Sequence, residues 1–506
     1  MAAAGIVNLA QSGQWQNYHK TGTSNLLARY ALRSGDGGTG REDLRQAAAS
    51  VQAWLRQAKA QDIPVRAVGG AWSLSNIQLV QNGWMLNTRR FNRCFRLGAA
   101  DFANPGTIDP GAFMLLEGGV LVDEVNDKLQ QMGRSLSTSG ASNGQTMPGA
   151  CATATHGSVL TAGGIQQHVR AVQMVTPEGS WWIEPAAGLM SDGFIREAGS
   201  LPLRDDEAFA AAQVAVGSLG IVTAMVIESE PLYLVRPYLK QIDFSRDDLE
   251  TLQRGDFRAF SEAKGLKGHD PYFVMVVTTP TRPVGGKAVV RFLYKFPYRP
   301  DYERQTPGDL GAGYNAQTMI SWALRNFPWA RGFILQAIMR AAVGKGITGE
   351  VYGTWGESLE SAVPLAGGFS AGVFCDRTRL AHNLDAMCGA FNRAGGSTAM
   401  TMRFVKGGHG LLTPARWPDS VAIDCDGPGG EGTRRAYLTM LDTMERDGIS
   451  HTLHWGKINN LTPQRVASDY GDDLVRWKAV RDRLLPDAAD RRLFATAELR
   501  GFGLAD

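Results

Sequence analysis

The residues best suited to chemistry fall into a few short runs. Gly69-Gly70-Ala71-Trp72-Ser73 follows the β-prone run Pro64–Val68. Glycines there let consecutive backbone N–H groups face an anion such as a pyrophosphate. Arg403 stands between Met402 and Phe404 in an apolar, strand-like run. Strand alternation puts it on one face with Thr401 and Val405, where a buried guanidinium needs either a ligand or a carboxylate. Asp424 and Asp426 lie two apart and share a face if their run is a strand. Either could act as a general base, and the plainer reading is a pair of solvated loop acids. His156 precedes Gly157 and His454 precedes Trp455-Gly456, each as a base or as a residue that only steadies the backbone. Lys457 closes the run His454-Trp455-Gly456-Lys457, as a fixed positive charge or a surface lysine.

These residues must be positioned by a large fold. The chain has 506 residues, 44% of them hydrophobic and 20% charged, enough for two or three domains and for a core that needs no staple. Sixty glycines without a repeat period point to many tight turns or close backbone–ligand approaches. A net charge of +3 gives no electrostatic footprint for nucleic acid. The five cysteines are scattered and never form a CxxC pair, which argues against a disulfide framework or a metal site and for a reducing compartment. With no signal-peptide pattern and no run of about 18 apolar residues, a cytoplasmic protein without a transmembrane segment is expected.

Residues 41–60 place Leu44, Ala48, Val51, Leu55 and Ala58 on one helical face. The run 113–117 reads as a strand, and 121–132 as a second helix. Residues 137–158 read as a long glycine-rich loop, a kind of segment that is commonly functional. A strand-like run ends near Glu228, a boundary falls around Pro231–Pro237, and the tail returns to helix at Val475–Leu485. Between Asp309 and Glu350 no acidic residue occurs, and Pro328 divides two amphipathic stretches. That segment reads as a pair of cap helices or as a substrate-capping or membrane-surface element. Gly69-Gly70-Ala71-Trp72-Ser73 is not a GxGxxG fingerprint, and no GxxxxGK[ST] is present, so a dinucleotide-type Rossmann domain and a P-loop are poorly supported.

Taken together, V-R-A-V-G-G-A-W-S-L-S (65–75), S-G-A-S-N-G-Q-T-M-P-G-A-C-A-T-A-T-H-G-S (139–158) and G-S-L-G-I-V-T (217–223) resemble the FAD-binding domain of the vanillyl-alcohol-oxidase (PCMH-type) superfamily. A-T-A-T-H-G-S, M-R-F-V-K-G-G (402–408) and H-W-G-K (454–457) are similar to its aldonolactone and alditol oxidase branch. The resemblance implies an α+β protein: a two-subdomain FAD-binding domain over 1–230, a cap domain with a mixed or antiparallel sheet over 231–450, and a tail, 451–506, returning to the first domain. It implies an FAD-dependent oxidase or dehydrogenase that removes hydride from a CH–OH substrate and passes electrons to oxygen or another acceptor. Cofactor contacts are then expected from Val68, Gly69, Gly70, Ala71, Trp72, Ser73, Ser139, Ser142, Gly149, Ala150, Thr153, His156, Gly157, Ser158, Gly220 and Val222. Catalytic roles are expected at Arg403, Lys457, Asp424 and His454, with no metal.

Two departures matter. Trp72 stands where many members of the branch carry a flavin-linked histidine, so noncovalent FAD is expected. Thr401-Met402-Arg403 replaces the usual Glu-x-Arg, and Asp424-Cys425-Asp426 replaces a His and a Thr. A grip on polyols is thereby lost, which favours a bulkier secondary-metabolite or sterol-like substrate. A flavin-binding homologue without turnover is the remaining alternative.

Overall fold

The computed structural model describes all residues except 1–2, 10–11, 267, 304–345, 359–367, 397, 429 and 506. Most of the acid-free segment therefore lies outside the described residues. The architecture mixes α-helices with several β-sheets. The helix Gly40–Ala60 begins at Thr39, whose side chain accepts from the Glu42 N–H, and buries the expected stripe Leu44, Ala48, Val51, Leu55 and Ala58. It lies against the strands Gly5–Asn8, Val169–Val175 and Ile221–Glu228. In doing so it joins a five-stranded sheet (residues 5–90) to a six-stranded one (residues 94–228).

The strand Val65–Val68 is the edge of the first sheet, pairing in parallel with Gly83–Arg90, and it delivers Gly69 and Gly70 directly beyond its end. The stretch 137–158 is not wholly a loop. Met147–Ala152 forms one short helix, with Pro148 in its first turn and the Thr146 hydroxyl accepting from Gly149 N–H. Proline at a helix start loses no hydrogen bond, so the local chemistry favours this turn although it is too short to show periodicity.

An eight-stranded antiparallel sheet follows. Its order is Gly353–Thr354, Tyr233–Phe244, Gly286–Pro297, Phe273–Thr278, Ala399–Lys406, Asp419–Pro428, Gly368–Asp376 and Thr452–Leu453. Pro237 does not break the chain. It sits inside the strand Tyr233–Phe244, opposite Leu293, at a point where the short strand Gly353–Thr354 no longer covers the other side. Proline is tolerated where no ladder bond is asked of its nitrogen. Tail helices Asp472–Leu484 and Ala488–Leu493 tie back to the first half through Arg476–Glu207, Arg483–Asp205 and Lys59–Asp490 ion pairs. Among the described residues, no helix is long and apolar enough to cross a membrane.

Candidate cofactor and active site

One elongated cavity collects most of the residues the sequence singled out. Its walls include Val68 to Ser73, Ser142, Gly149, Thr153, His156, Gly220 and Val222, and at the far end Arg403, Asp426, His454 and Lys457. At the loop end the wall is backbone. A side chain on Gly70 would run into the Gly144 carbonyl and lie 2.9 Å from Trp72 Cδ1, so only glycine leaves the cradle open. Gly217 has φ +70°, a left-handed conformation that suits glycine. Its carbonyl and that of Val216 accept from Arg66 Nη1 and Nη2 at 2.6 and 2.8 Å. Arg66 is buried without an acidic partner among the described residues, and burial pulls its guanidinium down to about 10. It therefore presents a charge, still positive at neutral pH, to the cavity it lines. The sequence reading missed Arg66, although a lone arginine in the apolar run Val65–Val68 was a visible signal.

Trp72 stacks on Tyr18 with centroids 4.6 Å apart, and His19 meets it edge-on at 5.0 Å. His19 is buried, lines the same cavity, and is pushed down to about 4 by burial. It too escaped the sequence reading, because nothing in N-Y-H-K marks it.

The sheet end is charged. The register pairs Thr401 with Asp424, and Asp424 in turn with Gly372. Asp424 is fully buried and holds two cations at once, Lys457 Nζ at 2.7 Å and Arg403 Nε at 3.0 Å. Burial works against its ionisation, but Lys457 and Arg403 outweigh burial and hold the carboxyl well below the usual range. A Cβ at Gly372 would come within 2.8 Å of Asp424 Oδ1 and 3.3 Å of Lys457 Cδ, so this glycine makes room for the pair. Asp426 lines the cavity and accepts from Ser370 Oγ at 2.6 Å. Burial lifts its carboxyl above the ordinary value, against the pull of Lys457 and with a push from Asp424.

Two imidazoles complete this wall, with ring centroids 5.7 Å apart. His454 Nδ1 accepts from the Gly456 N–H at 3.0 Å, which leaves the proton of the neutral ring on Nε2. His156 Nδ1 lies 3.0 Å from the Gly157 carbonyl, which only accepts, so Nδ1 carries the proton and Nε2 is the acceptor. Burial lowers His156 to about 4 and holds His454 well below the ordinary imidazole range, so both are neutral at pH 7. The His454–Lys457 turn is pinned to the first glycine loop: Gly456 O accepts from Leu74 N–H, and Trp455 O from Ser75 Oγ.

Five predicted residues lie off the cavity wall. Asp424 stands behind Arg403 and Lys457. Ser158 Oγ is engaged with Val274 O and accepts from Phe404 N–H, so it holds the eight-stranded sheet to the loop. Ser139 Oγ accepts from Trp355 Nε1 at 3.1 Å. Ala150 is buried in the short helix, and Gly157 packs against Ser139 O. A separate acidic group, Glu178, Asp487 and Asp490, encloses Lys59 Nζ at 3.2, 2.9 and 2.7 Å, an ion-pair network that ties down the tail.

A narrow cleft with glycine backbone and a buried arginine at one end and polar side chains at the other fits a long dinucleotide, and residues 46–183 match the family described as FAD binding domain. The molecule is thus an FAD-binding protein. FAD is its cofactor, and its fold is of the PCMH type. It is similar to an L-gulono-1,4-lactone dehydrogenase of Mycobacterium tuberculosis, 23% identical over 445 residues, covering 86% of this chain and 90% of that protein. A D-arabinono-1,4-lactone oxidase of Debaryomyces hansenii is 23% identical over 193 residues, 37% of this chain and 31% of that one. Among solved structures, a cholesterol oxidase from Brevibacterium sterolicum superposes with TM-score 0.70 at 12% identity, over 99% of this chain and 97% of that one. A solvent-stable cholesterol oxidase gives 0.69 at 15%, over 99% and 98%. These likenesses are of fold.

Proposed function

We propose that this chain is an oxidoreductase of the aldonolactone and alditol oxidase type that oxidises a carbon bearing a hydroxyl, with oxygen or another small acceptor completing the cycle. One observation carries the reading: the glycine cradle and the Arg403–Asp424–Lys457 group open into one cavity. FAD, when bound, supplies the hydride acceptor. Residues 1–230 and the tail 451–506 would hold it, and residues 231–450 would present the substrate. Val68 to Ser73 offer backbone donors, with Arg66 as the counter-charge. Asp426, with Oδ1 held by Ser370 and its basicity raised, takes the hydroxyl proton on Oδ2. Arg403 steadies the oxygen as that proton leaves. Lys457 sets a fixed positive charge against negative charge accumulating in the cavity. Asp424 positions both cations and is a poor base, because ionisation is what its partners favour. His454 offers an Nε2 donor and His156 an Nε2 acceptor.

The test is a panel of alcohols, lactones and polyols added to the purified protein under nitrogen and then air, followed at the flavin absorbance. Bleaching by one class and recovery in air support oxidase chemistry, and no bleaching by any overturns it. Xylitol, sorbitol and gulonolactone should be slower by roughly two to four orders of magnitude in kcat/KM than the best substrate, because the Glu of the Glu-x-Arg pattern is Thr401 here and unpaired hydroxyls cost about 1–3 kcal/mol each. With Trp72 engaged by Tyr18 and His19, FAD is held noncovalently. Acid precipitation should release all flavin to the supernatant, and colour retained in the pellet would refute this.

A further inference from the structure

The cap sheet has two unequal faces. On one, Val274, Val276, Val290, Phe292, Met402 and Phe404 are at most 2% exposed. On the other, a cross-strand row runs from Arg403 through Met275 to Arg291, and all three are half-buried. The row continues the cavity wall at Arg403 onto the cap. Two strand spacings separate the arginines, about 10 Å between Cα atoms.

Arg291 is short of partners. Its Nη2 donates to Ser358 O at 2.5 Å, and its Nε is buried with no acceptor. No carboxylate among the described residues is within ion-pair reach of it. On the strand beside Arg403, Asp424 is held by Arg403 and Lys457, and Asp426 accepts from Ser370. Ser358 ends the helical turn that starts at Trp355, whose Nε1 donates to Ser139 beside the cavity-lining Gly140. Arg291 thus shares a sheet face with the cavity-lining Arg403, and the turn it donates to is tied to the loop beside the cavity. Around it on the same face lies an apolar cluster, Leu239, Val289 and Ile347, with Val277 and Val351 against it. Burial and the like charge of Arg403 lower its guanidinium to about 10, so it remains charged at neutral pH.

A half-buried arginine with a donor that lacks an acceptor, beside a second arginine and an apolar surface, is the complement of a carboxylate on an apolar chain. We propose that Arg291, with Arg403 across Met275, forms a substrate subsite for a carboxylate, so that the substrate is an apolar hydroxy acid whose acid group and reacting carbon are separated by several bonds. This rests on the oxidoreductase reading above and names its substrate class.

The test uses the FAD-loaded protein and calorimetric titration with octanoate and with octanamide, its neutral match in length. Octanoate should bind at least about 10-fold more tightly than the amide, the scale of a charge-assisted hydrogen bond. Arg291→Met should erase that preference and leave the amide affinity unchanged, and Arg291→Lys should restore part of it. No detectable octanoate binding, no preference in the parent protein, a preference that survives in Arg291→Met, or equal weakening of both ligands would each overturn the subsite. None of these binding outcomes depends on turnover. A protein that binds octanoate as described but is bleached by no alcohol would refute the oxidoreductase reading alone.

Discussion

The two ends of the cavity are built on different principles. At the loop end, the wall is main chain, kept open by glycines such as Gly70 and Gly217, with one buried cation, Arg66. At the sheet end, the wall is side chain, and its geometry comes from strand register: Asp424 beside Thr401 and Gly372, reaching Arg403 and Lys457. The first end, as the proposed cofactor seat, would bind by shape and fail by steric filling. The second is held by charge balance and would fail when one member is removed. Damage at each end should therefore have a separable signature.

The largest effect is expected from Gly70→Val. Its side chain meets the Gly144 carbonyl, which is backbone and cannot swing away, so FAD binding should be lost while the fold survives. Fluorescence titration of the apoprotein with FAD measures the first, and circular dichroism the second. Retained binding would mean that the cradle is not the cofactor's seat. Asp424→Asn should invert that pattern. Removing the carboxylate leaves Arg403 and Lys457 facing each other uncompensated, at a cost of about 3–5 kcal/mol in denaturant unfolding, with FAD still bound.

Lys457→Met should keep FAD and slow the anaerobic bleaching step about 10²–10³-fold in stopped flow, as for loss of one preorganised charge. Rates equal to the parent's would reduce Lys457 to a structural partner of Asp424. The smallest effect per group is on pH. His19, His156, His168 and His451 are each lowered by burial to about 4. The unfolded chain takes up these protons below about pH 6.5 and the native one does not. Stability should therefore be full above that pH and fall as it drops toward 4, by up to about 1.4 kcal/mol per pH unit per histidine. Asp469, raised by burial to about 6, opposes this weakly between about 4 and 6. Urea midpoints across pH 4–8 give the slope, and His168→Phe should flatten it by one histidine's share.

The loop end was largely legible in the sequence because its determinants are local. Gly69-Gly70 and the run 139–158 announce themselves by residue type within a few positions. The short helix Met147–Ala152 hid there, since one and a half turns carry no period. The sheet end was legible only in its parts. That Arg403, Asp424 and Lys457 were candidates could be read. That Asp424 faces Thr401, the place of the absent Glu, could not, because register between strands some twenty residues apart is set by tertiary pairing. Gly372 and Ser370 gave no sign at all: their roles exist only as cross-strand neighbours of Asp424 and Asp426. Likewise Arg291 is an unremarkable arginine in a strand until its row with Met275 and Arg403 is laid out.

The pinning of the His454–Lys457 turn to residues 74 and 75 bears on how the molecule is made. Ser75 and Trp455 are 380 positions apart in the chain, and their hydrogen bond closes the cradle against the sheet. During translation the first glycine loop leaves the ribosome long before its far wall exists. At 5–20 residues per second the interval is roughly 20–80 s. Through that time the loop end has no closing turn, so the complete cavity forms only once residues 454–457 have been made. A nascent chain arrested before residue 450 should capture little FAD, and cofactor supply should govern yield only after release.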